Sequence, residues 1–414
     1  MPFLTKLDSN AVIKGSRDPL GVQALWTDFG RRIVGNLTTV STSLRDFTAT
    51  ILGYTFVENL GDEASEVELF LRWEQWAAYC RVHRFSNMPV RGIERVREQL
   101  AQSKRVTISA TREHQILSNQ KTYGLWGLYS MPSRASGLLE EKKARVTKES
   151  REFIEREYWL RVKPVGEKLR LKRFSLELDG SHKRLATAVA DVLAPPSVKP
   201  LSGAERSFYV DHLLHRTSTQ ESAVATMPPE LKNTFVLTPT LLTSWAERAS
   251  KRDSSLATKL DNVRIMESLL APGARLFSFL LGQGKQTVNS VANNIYETWG
   301  KSFEKLNVDR IKELREDIHK AAGDRANSDL QWLELAQAFS ASDYREAIRI
   351  ACEINASVMR HRGGGPWLAI ENNKLRVHAN EAPRPLPDAV ELNSLWEHSY
   401  FLDSLAIMTA SLQP

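Results

Sequence analysis

The sequence predicts a mainly α, multi-helical protein with an embedded winged helix-turn-helix-like module and a small C-terminal β-hairpin. Apolar residues recur at three- and four-residue spacing through most of the chain, whereas strand-like runs are few and short. The length of 414 residues exceeds the ~250–300 over which one hydrophobic core keeps growing, so two or three packed subdomains are expected. An apolar fraction of 42% and a charged fraction of 25% are ordinary for a globular chain. We divide the chain into a helical region 1–89, a basic module 90–163 and a helical region 164–414 carrying a hairpin near 366–378.

The first 40 residues read as irregular, with a turn over Gly15–Gly21. Ser43-x-x-Asp46 then has the form of a capping box, and Leu44, Phe47, Ile51 and Tyr54 follow helical spacing until Gly61. A second helix is predicted from Glu63 to Arg84, with Val67, Phe70, Leu71, Trp73, Trp76, Ala77 and Cys80 forming a buried stripe.

Gly92–Gln102 reads as a short amphipathic helix leading to β-like Val106–Ser109, and a longer helix is expected from Thr111 to Tyr129. Pro132 suits a first helical turn and opens a short helix over 132–139. The charged run Glu140–Arg145 follows, and then a helix, Lys148–Arg161, that Thr147 can cap. This order, with Gly137–Glu157 at its end, resembles winged helix-turn-helix domains, although the wing is poor in glycine.

Basic charge gathers in the same region. Between Arg134 and Arg173 stand 13 Lys/Arg and 7 Glu, which accounts for most of the net charge of +7. A local positive field attracts DNA, RNA or an acidic protein surface. In a DNA-binding winged module the helix 132–139 would face the groove with Ser133, Arg134 and Ser136 exposed. Lys142, Lys143 and Arg145 would lie on the wing beside phosphates, joined by Lys148 and Arg151. The alternative for the same scaffold is protein contact alone.

Residues 174–360 read as successive helices: Ser181–Leu193, Ser202–His215, Leu241–Ser250, Leu256–Leu270, Val288–Trp299, Val308–Ala322, Asp329–Ala338 and Asp343–Arg360. Trp367–Ile370 and Lys374–Val377 flank Glu371-Asn372-Asn373 as a β-hairpin, and a final helix ends near Leu412.

No catalytic constellation emerges. Gly282-Gln-Gly284-Lys285-Gln-Thr287 lacks the Walker spacing and reads as a turn between helices. Asp211-His212-x-x-His215 and Cys80-x-x-His83 are half-sites for a metal without a second ligand pair. Cys352 stands in an apolar stripe, as a buried thiol would. Nuclease chemistry needs clustered carboxylates with a lysine, to which Glu177-Leu-Asp179 followed by Lys183 is the nearest approach; an alternative reading is a metal-dependent nuclease using Glu177, Asp179, His212 or His215. No cofactor is expected. Two cysteines form no disulfide framework, the N-terminus has no secretory signal, and Arg45, Asp46 and Glu58 interrupt the most apolar stretch, Leu44–Leu60. A cytoplasmic protein without a membrane segment is expected.

Three stretches, Ser16–Phe47, Phe70–Arg81 and Ile116–Ser130, resemble uncharacterised bacterial proteins of anti-phage and mobile defence gene clusters, which often neighbour helicase or phospholipase-D-type nuclease genes. The resemblance covers about the first 160 residues and carries no catalytic residues. It implies an accessory, non-catalytic subunit that binds DNA or scaffolds a multi-protein defence complex.

Overall fold

A computed structural model describes residues 18–61, 66–86, 88–323 and 328–413. The chain is mainly helical, with two small antiparallel sheets among the described residues. It divides into two compact units. The first comprises the described parts of Met1–Ile33 with Ala225–Asp403, and the second comprises Val34–Val224 with the described part of Ser404–Pro414. The segments 34–89, 90–163 and 164–224 therefore fall together in the second unit.

The first unit begins with α1 (Val22–Arg31), in a stretch expected to be irregular. Asp18 starts it by accepting hydrogen bonds from the backbone N–H of Val22 (2.8 Å) and Gln23 (3.2 Å). The second unit is built around α2 (Leu44–Leu60) and α3 (Glu66–Arg84). As expected, Ser43 caps α2 by accepting from Asp46 N, and Gly61 ends it with its N–H on Val57 O. The expected stripe on α3 is a correction: every residue from Leu69 to Val82 is buried, as is every residue from Leu44 to Val57. Gly53 permits this close approach, because a Cβ there would lie 2.5 Å from the Phe70 ring and 2.7 Å from that of Trp73.

Total enclosure forces polar groups on these helices to find partners inside. Arg81 Nη1 donates to Asp46 Oδ1 at 2.7 Å, and Trp73 Nε1 donates to Ala49 O at 2.8 Å. Arg45 donates from Nε to Ala194 O (2.7 Å) and from Nη1 to Glu205 Oε1 (2.9 Å), where Tyr158 also donates its hydroxyl at 2.6 Å. Burial pushes the Glu205 carboxyl up, but the Tyr158, Ser202 and Arg45 hydrogen bonds outweigh it and hold it below its ordinary range.

After α4 (Ile93–Gln102) comes the strand β1 (Arg105–Ser109), which pairs in register with β2 (Arg173–Glu177), so Val106 faces Leu176 and Ile108 faces Phe174. The strand β2 forms at the start of a stretch whose residues are expected to be helical. The expected helix Thr111–Tyr129 is also replaced, by a 3-10 turn, the short α5 (Gln120–Tyr123) and α6 (Leu125–Ala135). Glu74 on α3 is the physical reason. Its carboxylate accepts Leu125 N (2.7 Å) and Gln120 Nε2 (2.9 Å), and a Cβ on Gly124 would come within 2.6 Å of both its oxygens. Pro132 lies inside α6, so the separate helix expected over 132–139 is absent.

In the first unit the helix expected to end at Leu270 continues past Pro272, as Ser254–Leu280. Glu267 is buried at its centre and accepts from the backbone N–H of Glu397 (2.5 Å) and His398 (3.1 Å), His398 Nδ1 (2.9 Å) and Tyr400 OH (2.9 Å). The C-terminal hairpin is as expected: β3 (Leu368–Glu371) pairs with β4 (Lys374–Val377), with Asn372 and Asn373 at φ 50° and 59° in the turn. The 282–287 turn docks on β4 through Lys285 N to Leu375 O (2.8 Å) and Leu375 N to Gln286 O (2.9 Å).

Glu205→Ala strands the buried Arg45 guanidinium, and the expected cost is about 3–5 kcal/mol in denaturant unfolding. Burial raises the Glu74 carboxyl to about 7 against the opposing Gln120 and Leu125 hydrogen bonds. The folded chain thus favours the protonated acid, and the associated stability is complete below ~4.3 and lost as pH rises through about 7. Melting temperature should fall across that interval, and Glu74→Gln should remove the fall.

Candidate nucleic-acid interface

The basic loop begins where α6 ends. Gly137 adopts a φ of 71°, and the N–H groups of Leu138 and Leu139 both return to Ser133 O (2.9 and 3.3 Å), burying the two leucines. An isolated bridge joins Leu139 to Val146, Glu140 N donates to Arg145 O (3.0 Å), and Thr147 N donates to Leu138 O (3.2 Å). Thr147 then caps α7 (Lys148–Ile154) by accepting from Ser150 N. A single bridge, made of these two hydrogen bonds, therefore closes the base of the loop 140–145.

Arg134 braces the loop from within. Its Nη1 donates to the carbonyls of Glu140 and of Lys143 (2.8 Å), and its guanidinium lies over the Tyr54 ring, 5.8 Å from the centroid. Arg151 braces the other side through Glu58 (2.5 Å) and Val146 O (3.4 Å). With the backbone held, Lys142, Lys143 and Arg145 are exposed, and none of them joins an ion pair among the described residues. Lys148 is exposed as well, 3.9 Å from Glu152, a pair that solvent screens.

The eight residues singled out by sequence thus divide by role. Lys142, Lys143, Arg145 and Lys148 face solvent, whereas Arg134 and Arg151 position the loop. Ser133 and Ser136, expected to be exposed, are fully buried. Ser136 Oγ accepts from Asn36 Nδ2 (3.0 Å), and its carbonyl accepts from His212 Nδ1 (2.9 Å). They are buried because α6 runs on through Ala135 and packs this turn against the unit's interior.

Sequence reasoning missed Arg216. It is exposed, donates from Nε to Ala135 O (3.1 Å) and lies against Gly137, where an added Cβ would approach its guanidinium to 3.1 Å. Nothing in the local sequence marks it, since only the fold brings it to the loop.

Glu177, Asp179 and His212, three of the four residues weighed for metal chemistry, have other partners. Asp179 pairs with His83 Nε2 at 3.1 Å, and His212 Nε2 stands 3.7 Å from Glu149. Glu177 accepts from Ser181 Oγ at 2.9 Å, and the Ser181 hydrogen bonds with nearby Arg105 hold it below the usual carboxylate range. Among the described residues no three His, Cys, Asp or Glu side chains gather as a metal site. Cys80 and Cys352 are buried and free, and burial pushes the Cys352 thiol up to about 12.

A loop of fixed backbone bearing unpaired cations can contact phosphates without reading base edges. Removing the brace should release it: Arg134→Ala is expected to speed amide exchange at Glu140 and Thr147 by about tenfold or more. Lys142→Ala/Lys143→Ala/Arg145→Ala should keep the slow exchange of the parent chain. No family model, curated protein or solved structure matches this chain, and the interface stands on its own geometry.

Proposed function

We propose that the second unit binds DNA through its braced basic loop, and that the chain serves as a non-catalytic, DNA-engaging or scaffolding subunit of a multi-protein bacterial anti-phage defence system. The observation that carries the binding half is the exposure of Lys142, Lys143 and Arg145, without ion-pair partners among the described residues, on a loop whose backbone is held by Arg134. Such cations release condensed counterions when they meet phosphates. The subunit half is supported by the resemblance of the first 160 residues to proteins of defence gene clusters. An enzyme working beside it, a helicase or a nuclease, would supply the chemistry. No helix among the described residues is long and apolar enough to cross a membrane, and the two free buried thiols suit a cytoplasmic setting.

A second reading is favoured by the exposed Glu141, Glu149 and Glu152, which alternate with the cations and would suit a protein partner of mixed charge.

Binding to labelled duplex DNA across a salt series tests the proposal. The parent chain should bind with affinity that falls steeply with salt. In Lys142→Ala/Lys143→Ala/Arg145→Ala, binding should weaken and the slope of log K against log salt should shrink by about 3, roughly 0.9 per lost phosphate contact. Salt-independent binding, or identical behaviour of the two proteins, would overturn the role given to the loop.

A further inference from the structure

Elsewhere in the second unit lies a cavity of about 460 Å³ whose lining includes Phe56, Asn59, Trp159, Lys163, Glu167 and Arg170. Local backbone creates it. After α7 the chain makes a π-helical turn, Glu155–Trp159, of a kind often found at functional positions. That turn sends Tyr158 inward to Glu205 (2.6 Å) and brings the next side chain, Trp159, against Phe56 with ring centroids 5.1 Å apart and the rings tilted by 49°. Pro164 and the short helix Val165–Leu169 then fold back, and Gly166 packs so near α2 that a Cβ there would meet Leu60 at 3.1 Å.

Trp159 differs from an enclosed tryptophan such as Trp73. Trp73 is fully buried, whereas Trp159 is half-buried and lines the cavity; its N–H has no acceptor among the described residues, which is also true of the enclosed Trp76 and Trp332. Asn59 donates from Nδ2 to Thr55 O (2.8 Å), and its Oδ1 is left without a donor among them. Lys163 and Arg170 are both exposed and have no carboxylate partner, so with Glu167 the lining carries one net positive charge. An aromatic floor, a free donor and acceptor and two cations together match the parts of a nucleotide: a flat π-face with a hydrogen-bonding edge, and a phosphate.

We propose that this cavity takes an unpaired nucleotide of a single-stranded nucleic acid, its base stacked on Trp159 and its phosphates beside Lys163 and Arg170. A duplex keeps its bases stacked on one another and cannot supply a free face, so the cavity selects strands that are open. The inference rests on the nucleic-acid reading of the same unit and adds a preference that the basic loop alone does not have.

The test uses the full chain with a ten-residue oligodeoxynucleotide carrying a central 2-aminopurine, beside a duplex of the same length. Stacking on Trp159 should quench the 2-aminopurine. Trp159→Leu should weaken single-strand binding by about 5- to 150-fold and leave duplex binding unchanged. Trp159→Phe, which keeps a ring, should retain most of the affinity. Lys163→Ala/Arg170→Ala changes only exposed side chains, so it separates loss of binding from loss of folding, and it should lower single-strand affinity with a smaller salt slope. If the duplex binds but Trp159→Leu and Lys163→Ala/Arg170→Ala hold single strands like the parent chain, the cavity assignment falls and the loop assignment stands. If the parent chain binds neither nucleic acid, both fall.

Discussion

The second unit depends on the full enclosure of α2 and α3. A helix with one wet face can leave its polar side chains to solvent, but from Leu44 to Val57 and from Leu69 to Val82 there is no wet face. Thr50 and Thr55 turn their hydroxyls back onto the helix's own carbonyls, but the arginines and carboxylates on these stretches recruit partners from distant parts of the chain, and those recruitments fix the surrounding segments. Arg45 draws in Ala194 and Glu205, Glu74 draws in Gln120 and the start of α6, and Gln75 holds Ser109 at the end of β1. Both candidate contact regions refer to the same spine. Tyr54 carries the Arg134 guanidinium, Glu58 anchors Arg151, and Phe56 with Asn59 helps to line the cavity beside Trp159.

The first unit uses the same device, for instance at a buried carboxylate. Glu267, enclosed in the long helix Ser254–Leu280, is surrounded by four donors from the segment 397–400. That segment is irregular, with Tyr400 and Phe401 at φ 48° and 61°, conformations costing of order 1–3 kcal/mol each. Charge-assisted hydrogen bonds offset such strain. Gly30 on α1 lets the segment approach, since a Cβ there would lie 2.5 Å from Tyr400 O.

Much of the architecture was legible because it is local. The Ser43 cap, the Gly61 stop and the Asn372-Asn373 turn each follow from a few neighbouring residues, and each forms as expected. What escaped was set by distant partners. The break before α6 requires a carboxylate 51 residues away in sequence, Glu74 to Leu125. The burial of Ser136 requires Asn36 and His212. The strand β2 did carry a signal, the alternation of Phe174, Leu176 and Leu178, but its pairing with β1 lies far along the chain. The cations of the loop were legible as charge, whereas their division into braces and free groups was not, because Tyr54 and Glu58 decide it.

The two units are interleaved along the chain, since the second opens at Val34 and is completed by the residues after Asp403. Leu405, Ala406, Met408 and Leu412 are buried there, and Ser404 Oγ donates to Thr38 O at 2.8 Å. During synthesis, the hydrophobic slot that receives them stays open while the ribosome translates the whole of Ala225–Asp403. At ordinary elongation rates that delay is roughly 10–40 s, long on the scale of collapse and aggregation. Apolar surface on the nascent chain is expected to stay exposed through that wait, so cellular yield should depend on the waiting time as well as on the stability of the finished fold.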